Sequence, residues 1–362
     1  MPKVAAPPRL SAPWLTGILR TAGVLADNAR VAGFKTSSVE GGNLSRTERL
    51  ILEYDVQTDT APTSVILKTP AAKPSTRQVA AAMNLYAREV FFYRDLAPGL
   101  TMRVPRCYFT YHDGDTGAFM LLIEDIADGA VHDQDEACPV EDARLAMTHA
   151  AALHAAYWNS PRLHELEWLN HLGPRDLDVW QAMYCDAWAA FSGRDEVILD
   201  PGLRAIGDEL GSSRLRSWID VSMLPLTLTH ADYHLTNMLF STDCQGARRM
   251  ATVDWQMTMQ APALIDIAYF IGRMPKDDRR AQEQDLVRMY HQALCDGGVQ
   301  AYEWDQCWLD YQRCTWFGVL SAVVASATTA LTAEEAHRYS AKVNRYLEQA
   351  RDHDATRFLD GW

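Results

Sequence analysis

Residues 227–256 read TLTHADYHLTNMLFSTDCQGARRMATVDWQ, and three polar side chains within them decide the fold. Asp232 is followed five positions later by Asn237, on a predicted loop that leads into a strand at residues 238–240. After a turn at residues 243–246, a second predicted strand ends at Asp254. In phosphoryl transfer, an aspartate so placed accepts the proton of a hydroxyl, while an asparagine five residues later and a further aspartate hold magnesium. The spacing therefore predicts a phosphate-transfer site.

The same stretch supports a second hypothesis. His230, Asp232 and His234 alternate, so on an extended segment their side chains would face one side and form a ligand set for zinc or manganese. That arrangement is typical of a metal-dependent hydrolase. The two hypotheses differ in what the rest of the chain must supply, because a hydrolase has no use for a phosphate-binding lysine and its partner carboxylate.

Composition limits the classes of partner. The 362 residues include 34 Lys and Arg against 47 Asp and Glu, and the net charge of -13 argues against a nucleic-acid or membrane-surface partner. Seven cysteines without a CxxC pair argue against a disulfide framework and indicate a reducing cytoplasm. No targeting segment is evident, and the apolar residues 316–331 are too few for a bilayer span, so we expect a buried helix there.

The first 126 residues read as a β-rich lobe. Apolar alternation predicts strands at residues 31–39, 49–57 and 64–69, and a second hairpin from residues 103–110 and 118–124. Between the hairpins, residues 77–96 carry apolar side chains at a helical period: Val79, Met83, Tyr86, Val90 and Tyr93. We therefore expect one helix inserted between two hairpins.

Lys68 ends the strand at residues 64–69, and Glu89 lies on the predicted helix. A phosphate-binding ammonium needs such a carboxylate partner, so the two are expected to pair. The alternatives are an exposed edge lysine, and a glutamate paired with Arg88 or Arg94.

Two further segments are candidates for nucleotide contacts. Residues 40–45 read EGGNLS, and this turn, with Gly42 and Ser45, could bring N–H groups over phosphates, although Gly-Gly-Asn also suits an ordinary tight turn. Residues 124–129 follow the second hairpin and would cross between lobes, where backbone groups of Glu124 and Ile126 would meet the adenine edge.

Beyond residue 140 the pattern becomes helical. The predicted helices cover residues 141–158, 176–190, 201–210, 266–273, 278–296, 302–331 and 332–350. The chain is thus predicted to be α+β, with a nucleotide-binding lobe at residues 1–126 and a helical lobe at residues 127–362 that carries the catalytic loop. The active site is expected in the cleft between them.

Six short segments occur in an order that resembles a known superfamily: VILK (65–68), EVFFY (89–93), LIED (122–125), LHAAYW (153–158), HADYHLTN (230–237), and VDWQ (253–256) with IDIA (265–268). The chain resembles the aminoglycoside phosphotransferase and choline kinase-like superfamily, above all its ecdysteroid kinase-like branch, which shares the two-lobe protein-kinase-like fold. The resemblance runs from about residue 45 to the C-terminal helices.

The resemblance implies an ATP- and Mg²⁺-dependent kinase that phosphorylates a hydroxyl of a small molecule. Asp232 would be the catalytic base, Asn237 and Asp254 the magnesium ligands, and Lys68 the phosphate anchor positioned by Glu89. Choline-like, aminoglycoside, macrolide and sterol-like alcohols all remain possible acceptors, and the oligomeric state is open.

The resemblance also implies roles outside the reacting groups. Asp266 would brace the catalytic loop through hydrogen bonds, and His230 would be structural. Three positions depart from related sequences. Ala231 stands where many relatives have glycine, and residues 40–45 are poor in glycine, which keeps a nucleotide-binding pseudokinase as an alternative. Trp-Gln follows Asp254 where protein kinases have Phe-Gly, which fits this family and argues against a protein kinase. The hydrolase hypothesis leaves Lys68, Asn237 and Asp254 without a role.

Overall fold

The structure is a computed structural model that describes residues 8–39, 44–56, 58, 60–132, 137–212, 224–327 and 331–360. The chain divides into a first unit, Met1–Ala130 with Ala251–Met257, and a second unit, Val131–Met250 with Thr258–Trp362. The lobe boundary expected after residue 126 falls four residues before this division. The sequence did not predict that residues 251–257 pack with the first unit.

The first unit is built on an antiparallel five-stranded sheet in the order β1-β2-β3-β5-β4. Helix α1 packs against it and begins at Ser11, whose side chain accepts the Trp14 N–H. The core beneath α1 is mostly leucine and valine from the sheet. The elements are α1 (Ala12–Thr21), β1 (Val31–Ser38), β2 (Ser45–Tyr54), β3 (Ser64–Pro70), β4 (Cys107–His112) and β5 (Phe119–Glu124).

Both predicted hairpins are present, but β2 begins earlier than expected. Ser45 pairs with Pro70 at the far end of β3, so it is a strand residue and its assignment to a turn was wrong. The reason lies in the partner strand: β3 continues to Pro70 and offers backbone groups that the polar residues at the start of β2 can pair with.

The predicted helix at residues 77–96 is two helices, α2 (Pro74–Ala82) and α3 (Leu85–Phe91), followed by a π-helical turn at Phe92–Leu96. Asn84 separates them with a φ of 54°, in the left-handed region that asparagine tolerates better than most residues. Val79 and Met83 are 40% and 38% exposed, so the expectation of one continuous apolar face was wrong.

The second unit is mainly helical and also contains a three-stranded sheet in the order β6-β10-β7. A two-stranded hairpin of β8 and β9 precedes Asp254. The strands are β6 (Asn170–His171), β7 (Leu226–Thr229), β8 (Met238–Thr242), β9 (Arg248–Thr252) and β10 (Met259–Pro262). The helices are α4 (Val140–Ala156), α5 (Pro174–Ser192), α6 (Pro201–Leu210), α7 (Leu264–Gly272), α8 (Lys276–Asp296), α9 (Trp304–Cys314), α10 (Trp316–Ala327) and α11 (Ala333–Asp352).

The helical core follows the predicted apolar periodicity, with one exception. In α4, the apolar residues at helical spacing, Ala143, Ala146, Ala150 and Leu153, are all buried. Residues 302–331 were expected to form one helix, which was wrong, because α9 and α10 are separated at Thr315. The backbone N–H and the hydroxyl of Thr315 both donate to the Gln312 carbonyl, at 3.4 and 2.8 Å, so the N–H bonds three residues back instead of four. In α10, Gly318 lies directly under the Tyr346 ring, and a β-carbon there would overlap Cδ1 of that tyrosine.

Among the described residues, no helix combines the length and the hydropathy that crossing a bilayer requires. The aromatic residues of the helical region divide between core and surface. Tyr184, Tyr311 and Trp316 are fully buried, whereas Trp304 and Trp308 are partly exposed and stack on each other.

Candidate active site

In the first unit, the ammonium of Lys68 lies between two carboxylates. Its Nζ is 2.6 Å from Oε1 of Glu89 on α3 and 3.1 Å from Oδ1 of Asp254. Lys68 is 7% exposed and Glu89 only 2%. Burial disfavours the ammonium, but the charges of Asp254 and Glu89 outweigh it and raise the pKa of Lys68 above its ordinary value. The lysine is therefore a fixed cation held by two anions.

The neighbouring arginines do not compete for Glu89. Arg88 is buried, and its guanidinium donates to the carbonyls of Met83 and Met257. Arg94 pairs with the adjacent Asp95. The predicted contact between Lys68 and Glu89 is thus confirmed, while its role in binding phosphate stays a prediction.

Asp254 is held by its backbone as well as by Lys68. It has a φ of 66°, in the left-handed region where non-glycine residues are uncommon, and its side chain also accepts from Gln256 Nε2 at 3.1 Å. The next residue, Trp255, stacks on Phe92 of the α3 region with ring centroids 3.9 Å apart and planes 7° apart. Both rings are fully buried. This stack fixes the Asp254 segment against the helix that carries Glu89.

In the second unit, the loop after β7 gathers Asp232, His234 and Asn237. Asn237 Nδ2 donates to the carbonyl and to Oδ2 of Asp232, at 2.9 and 3.0 Å, and His234 Nε2 lies 3.2 Å from Asp232 Oδ1. The Asp232 side chain is 30% exposed, whereas Asn237 is buried. Because the amide nitrogen of Asn237 is engaged, its carbonyl oxygen is the atom left for another ligand.

Burial opposes the ionisation of Asp232, but the nearby side chains of His234, His230 and Lys342 prevail and hold the pKa of this carboxyl well below its usual range. Asp232 is therefore ionised at neutral pH. Burial lowers the pKa of His234, which favours a neutral imidazole beside the Asp232 carboxylate.

The backbone of this loop is anchored by Asp266 on α7, which is completely buried. Its Oδ2 accepts the His230 N–H and its Oδ1 the Ala231 N–H, both at 2.8 Å, and His154 Nε2 lies 3.2 Å from Oδ2. The predicted hydrogen bonds between Asp266 and the loop that carries Asp232 are confirmed, while the catalytic role of this loop stays a prediction. They hold Ala231 at a φ of 60°, a conformation that glycine would adopt without strain.

The hydrolase hypothesis needs His230, Asp232 and His234 to converge on one metal. Instead, His230 is buried and its Nδ1 accepts the Asp232 N–H at 3.3 Å, while His234 turns to the carboxylate of Asp232. Within the described ranges, no group of three His, Cys, Asp or Glu side chains is arranged to hold a metal ion. The amide oxygen of Asn237 and the carboxylate of Asp254 are the kind of oxygen ligands that magnesium prefers.

The remaining predicted nucleotide contacts are less well defined. Gly42 lies outside the described residues, and Ser45 is a buried residue of β2. The N–H of Glu124 is taken by the Arg106 carbonyl at 2.8 Å. The Glu124 carbonyl and the N–H of the partly exposed Ile126 stay the predicted contacts for adenine.

Sequence reasoning missed Lys342 on α11, Arg273 after α7, and Tyr269 on α7. All three interact with the neighbourhood of Asp232: Lys342 and Arg273 both lie over the Tyr269 ring, which contacts His234. No motif surrounds Lys342, and it is separated from Asp232 by 110 residues, so local patterns carry no signal for it.

The chain is similar in fold to several solved structures. Solved structures with the same fold include a putative aminoglycoside phosphotransferase from Ralstonia eutropha JMP134, with a TM-score of 0.54 and 14% identity over 95% of this chain and 99% of that one. Choline kinase from Cryptosporidium parvum Iowa II gives a TM-score of 0.58 and 11% identity, over 96% and 98%. The GDP complex of aminoglycoside 2'-phosphotransferase-IIIa gives 0.55 and 12%, over 96% and 100%.

These likenesses show the two-lobe kinase-like fold of small-molecule kinases. No curated protein sequence matches the chain. The model of the ecdysteroid kinase-like family matches residues 41–165 and 203–299, which together make up more than half of the sequence. The chain therefore belongs to the ecdysteroid kinase-like family.

Proposed function

We propose that this protein is an ATP-dependent kinase that transfers the γ-phosphoryl group to a hydroxyl of a small molecule. The observation that carries the proposal is the buried lysine between two carboxylates, Lys68 with Glu89 and Asp254. A buried charge is costly unless it is paired, and a fold that only needed stability could use apolar residues there. Nucleotide phosphates are the ligand that gives such a cation a use.

The second supporting observation is the ionised Asp232, whose two oxygens are oriented by His234 and Asn237. Asp232 would accept the proton of the acceptor hydroxyl as that oxygen bonds to the γ phosphorus. The bond from the γ phosphorus to the β,γ-bridging oxygen then breaks, and ADP leaves with that oxygen.

The other residues would position the phosphates. Lys68 would hold the α and β phosphates, with Glu89 fixing the direction of the ammonium. The Asn237 amide oxygen and the Asp254 carboxylate would hold magnesium, which when bound neutralises phosphate charge. Solved kinase-like relatives of this fold include a GDP complex, which supports a nucleotide as the donor.

A calorimetric titration of ATP with and without magnesium tests the proposal on the wild type, Asp232→Asn and Lys68→Met. We expect magnesium-dependent binding in the wild type and Asp232→Asn, and binding at least tenfold weaker in Lys68→Met, since charge-assisted hydrogen bonds to phosphate are lost. Lys35→Met is the matched control because Lys35 is an exposed lysine paired with Glu53.

Transfer is measured separately, with γ-labelled ATP and a panel of small alcohols. The wild type should label an alcohol and Asp232→Asn should not. Labelling by Asp232→Asn at the wild-type rate would refute the role of this aspartate. Magnesium-dependent ATP binding with no labelled alcohol would instead identify a pseudokinase.

A further inference from the structure

Two cations flank one tyrosine ring close to Asp232. In the second unit, Lys342 Nζ lies 5.9 Å from the centroid of the Tyr269 ring and 5.7 Å from that of Tyr339. The guanidinium carbon of Arg273 lies 5.9 Å from the Tyr269 centroid. Positive groups at such distances from aromatic faces are attracted by the ring electrons. Lys342 and Arg273 thus form a cationic, aromatic-lined cluster.

This cluster borders the predicted catalytic loop. The Tyr269 ring meets the His234 ring edge to face, with centroids 6.0 Å apart, and His234 Nε2 is 3.2 Å from the Asp232 carboxylate. The charge of Lys342 contributes to the electrostatic environment of Asp232. An alcohol whose hydroxyl reaches Asp232 therefore places its other groups within the field of Lys342.

Lys342 is not the hydrogen-bonding partner of Asp232. Both carboxylate oxygens of Asp232 already have neighbours, since His234 lies at Oδ1 and Asn237 at Oδ2. In the part of the chain that the structure describes, no carboxylate lies within 4.0 Å of the Lys342 ammonium. Lys342 is also only partly exposed, so water does not fully solvate it. Burial and the charge of Arg273 lower the pKa of Lys342 to about 7, against the opposing pull of Asp232.

Two neighbouring positive charges favour a bound anion and disfavour a bound cation. We propose that the acceptor alcohol carries an oxyanion, a carboxylate or a phosphate ester, which is bound by Lys342 beside Tyr269 and Tyr339. The proposal rests on the proposed function in one respect, the assignment of Asp232 as the base. It assigns Lys342 as a specificity-determining residue and excludes amino alcohols as the preferred acceptors.

Four probes of one skeleton separate charge from shape: 4-(hydroxymethyl)benzoate, 4-(hydroxymethyl)phenyl phosphate, the neutral 4-(hydroxymethyl)benzamide and the cationic 4-(aminomethyl)benzyl alcohol. Binding of each to the full chain without nucleotide is measured by calorimetry. We expect at least one of the two anionic probes to bind about tenfold more tightly than the amide, the effect of one charge-assisted hydrogen bond, and the cationic probe to bind most weakly. The benzoate and the phosphate arms distinguish the two kinds of oxyanion.

Substitutions of Lys342 test whether this side chain causes the preference for anionic probes. Lys342→Met should abolish the preference for the anionic probes, and Lys342→Arg should keep it because the charge is retained. The control is Arg351→Met, which removes one positive charge from the same helix. Arg351 lies nine residues further along α11, on the opposite face, and 3.9 Å from Glu348, so the probe affinities should not change.

The proposal is overturned if the cationic probe binds as tightly as the anionic ones, if Lys342→Met keeps the wild-type order, or if no anionic probe binds at millimolar concentration. Circular dichroism of each variant verifies folding, and Lys342→Arg provides a second route if Lys342→Met does not fold. Magnesium-dependent ATP binding is measured on the same samples. A wild type that binds no ATP contradicts the proposed function, whereas the ranking of the probes tests the acceptor charge alone.

Discussion

Replacing Asp266 by asparagine should destabilise the second unit far more than the same change at Asp310. The shape of the side chain is kept in both, so the difference measures the hydrogen bonds and the charge of the carboxylate. In Asp266, each oxygen accepts a different backbone N–H, from His230 and from Ala231, and the site is completely buried. Asparagine offers one accepting oxygen, and its NH₂ group would face the other N–H.

The size of the destabilisation follows from the number of hydrogen bonds that Asp266→Asn weakens or breaks. One buried backbone N–H loses its partner, which costs about 1–3 kcal/mol, and the remaining bonds lose their ionic character, at about 1 kcal/mol. We expect a total loss of about 2–4 kcal/mol for Asp266→Asn. The His154 ring adds to the effect, since its Nε2 lies 3.2 Å from the same carboxylate.

Asp310 is the matched control because it is also a buried aspartate of the second unit, 1% exposed. Its partners are the hydroxyl of Tyr302 at 2.8 Å and the amide of Gln306 at 2.7 Å, and both can turn to suit an amide. Burial raises the pKa of Asp310, so a neutral group suits its site. We expect Asp310→Asn to cost less than about 1 kcal/mol.

Urea unfolding followed by circular dichroism gives the free energy of unfolding of both variants. Equal losses in the two variants, or a larger loss at Asp310, would refute the reasoning. Phosphoryl transfer by Asp266→Asn should also fall, because the backbone that positions Asp232 is no longer anchored.

Three further predictions concern stability. Ala231→Gly should change the free energy of unfolding by less than about 0.5 kcal/mol, because release of the left-handed strain offsets the lost methyl group. The control Ala146→Gly, at a buried alanine in a helix, should cost more than about 1 kcal/mol, and similar costs for the two variants in urea unfolding would contradict this. Burial lowers the pKa of His149 from 6.5 to about 4, so between these values the unfolded chain binds a proton that the folded ring does not, and stability falls as the pH is lowered through this window. The loss of unfolding free energy between pH 7 and pH 4.5 should be about 2 kcal/mol smaller in His149→Leu than in the wild type, after allowance for partial exposure of the ring. The same pH dependence in both proteins would be evidence against the buried neutral imidazole. Gly318→Ala should lower the midpoint of thermal unfolding strongly, because the new methyl group overlaps the Tyr346 ring. The control Gly17→Ala has open space around the new methyl group in α1 and should not lower the midpoint. A midpoint for Gly318→Ala at or above that of the wild type would show that the ring moves freely.

Much of the fold could be predicted from local patterns. Alternation located the strands of both hairpins, and helical periodicity located α4 and its buried face. The break at Asn84 could not be predicted, because apolar residues keep a helical period across it while the backbone turns left-handed. The start of β2 at Ser45 depends on how far the partner strand continues, which the local sequence of β2 does not contain.

The candidate site was predictable where its members lie close in sequence or in a known order. Asp232 and Asn237 are five residues apart, and Lys68 and Glu89 lie 21 residues apart, each in a segment of the recognised order. Lys342, whose charge acts on Asp232, comes from the last long helix. Its position is a product of tertiary packing, and neither spacing nor periodicity specifies it.

The stack of Phe92 on Trp255 also determines how firmly the three charged side chains of the first unit are held together. Moving α3 away from residues 254–257 would expose two large aromatic faces that are fully buried, at a cost of about 4 kcal/mol or more. At that cost, fewer than about one molecule in a thousand has the pair of Lys68 and Glu89 separated from Asp254 in this way. An apolar contact between the two segments that carry Glu89 and Asp254 thus keeps these carboxylates on Lys68 whether or not a ligand is bound.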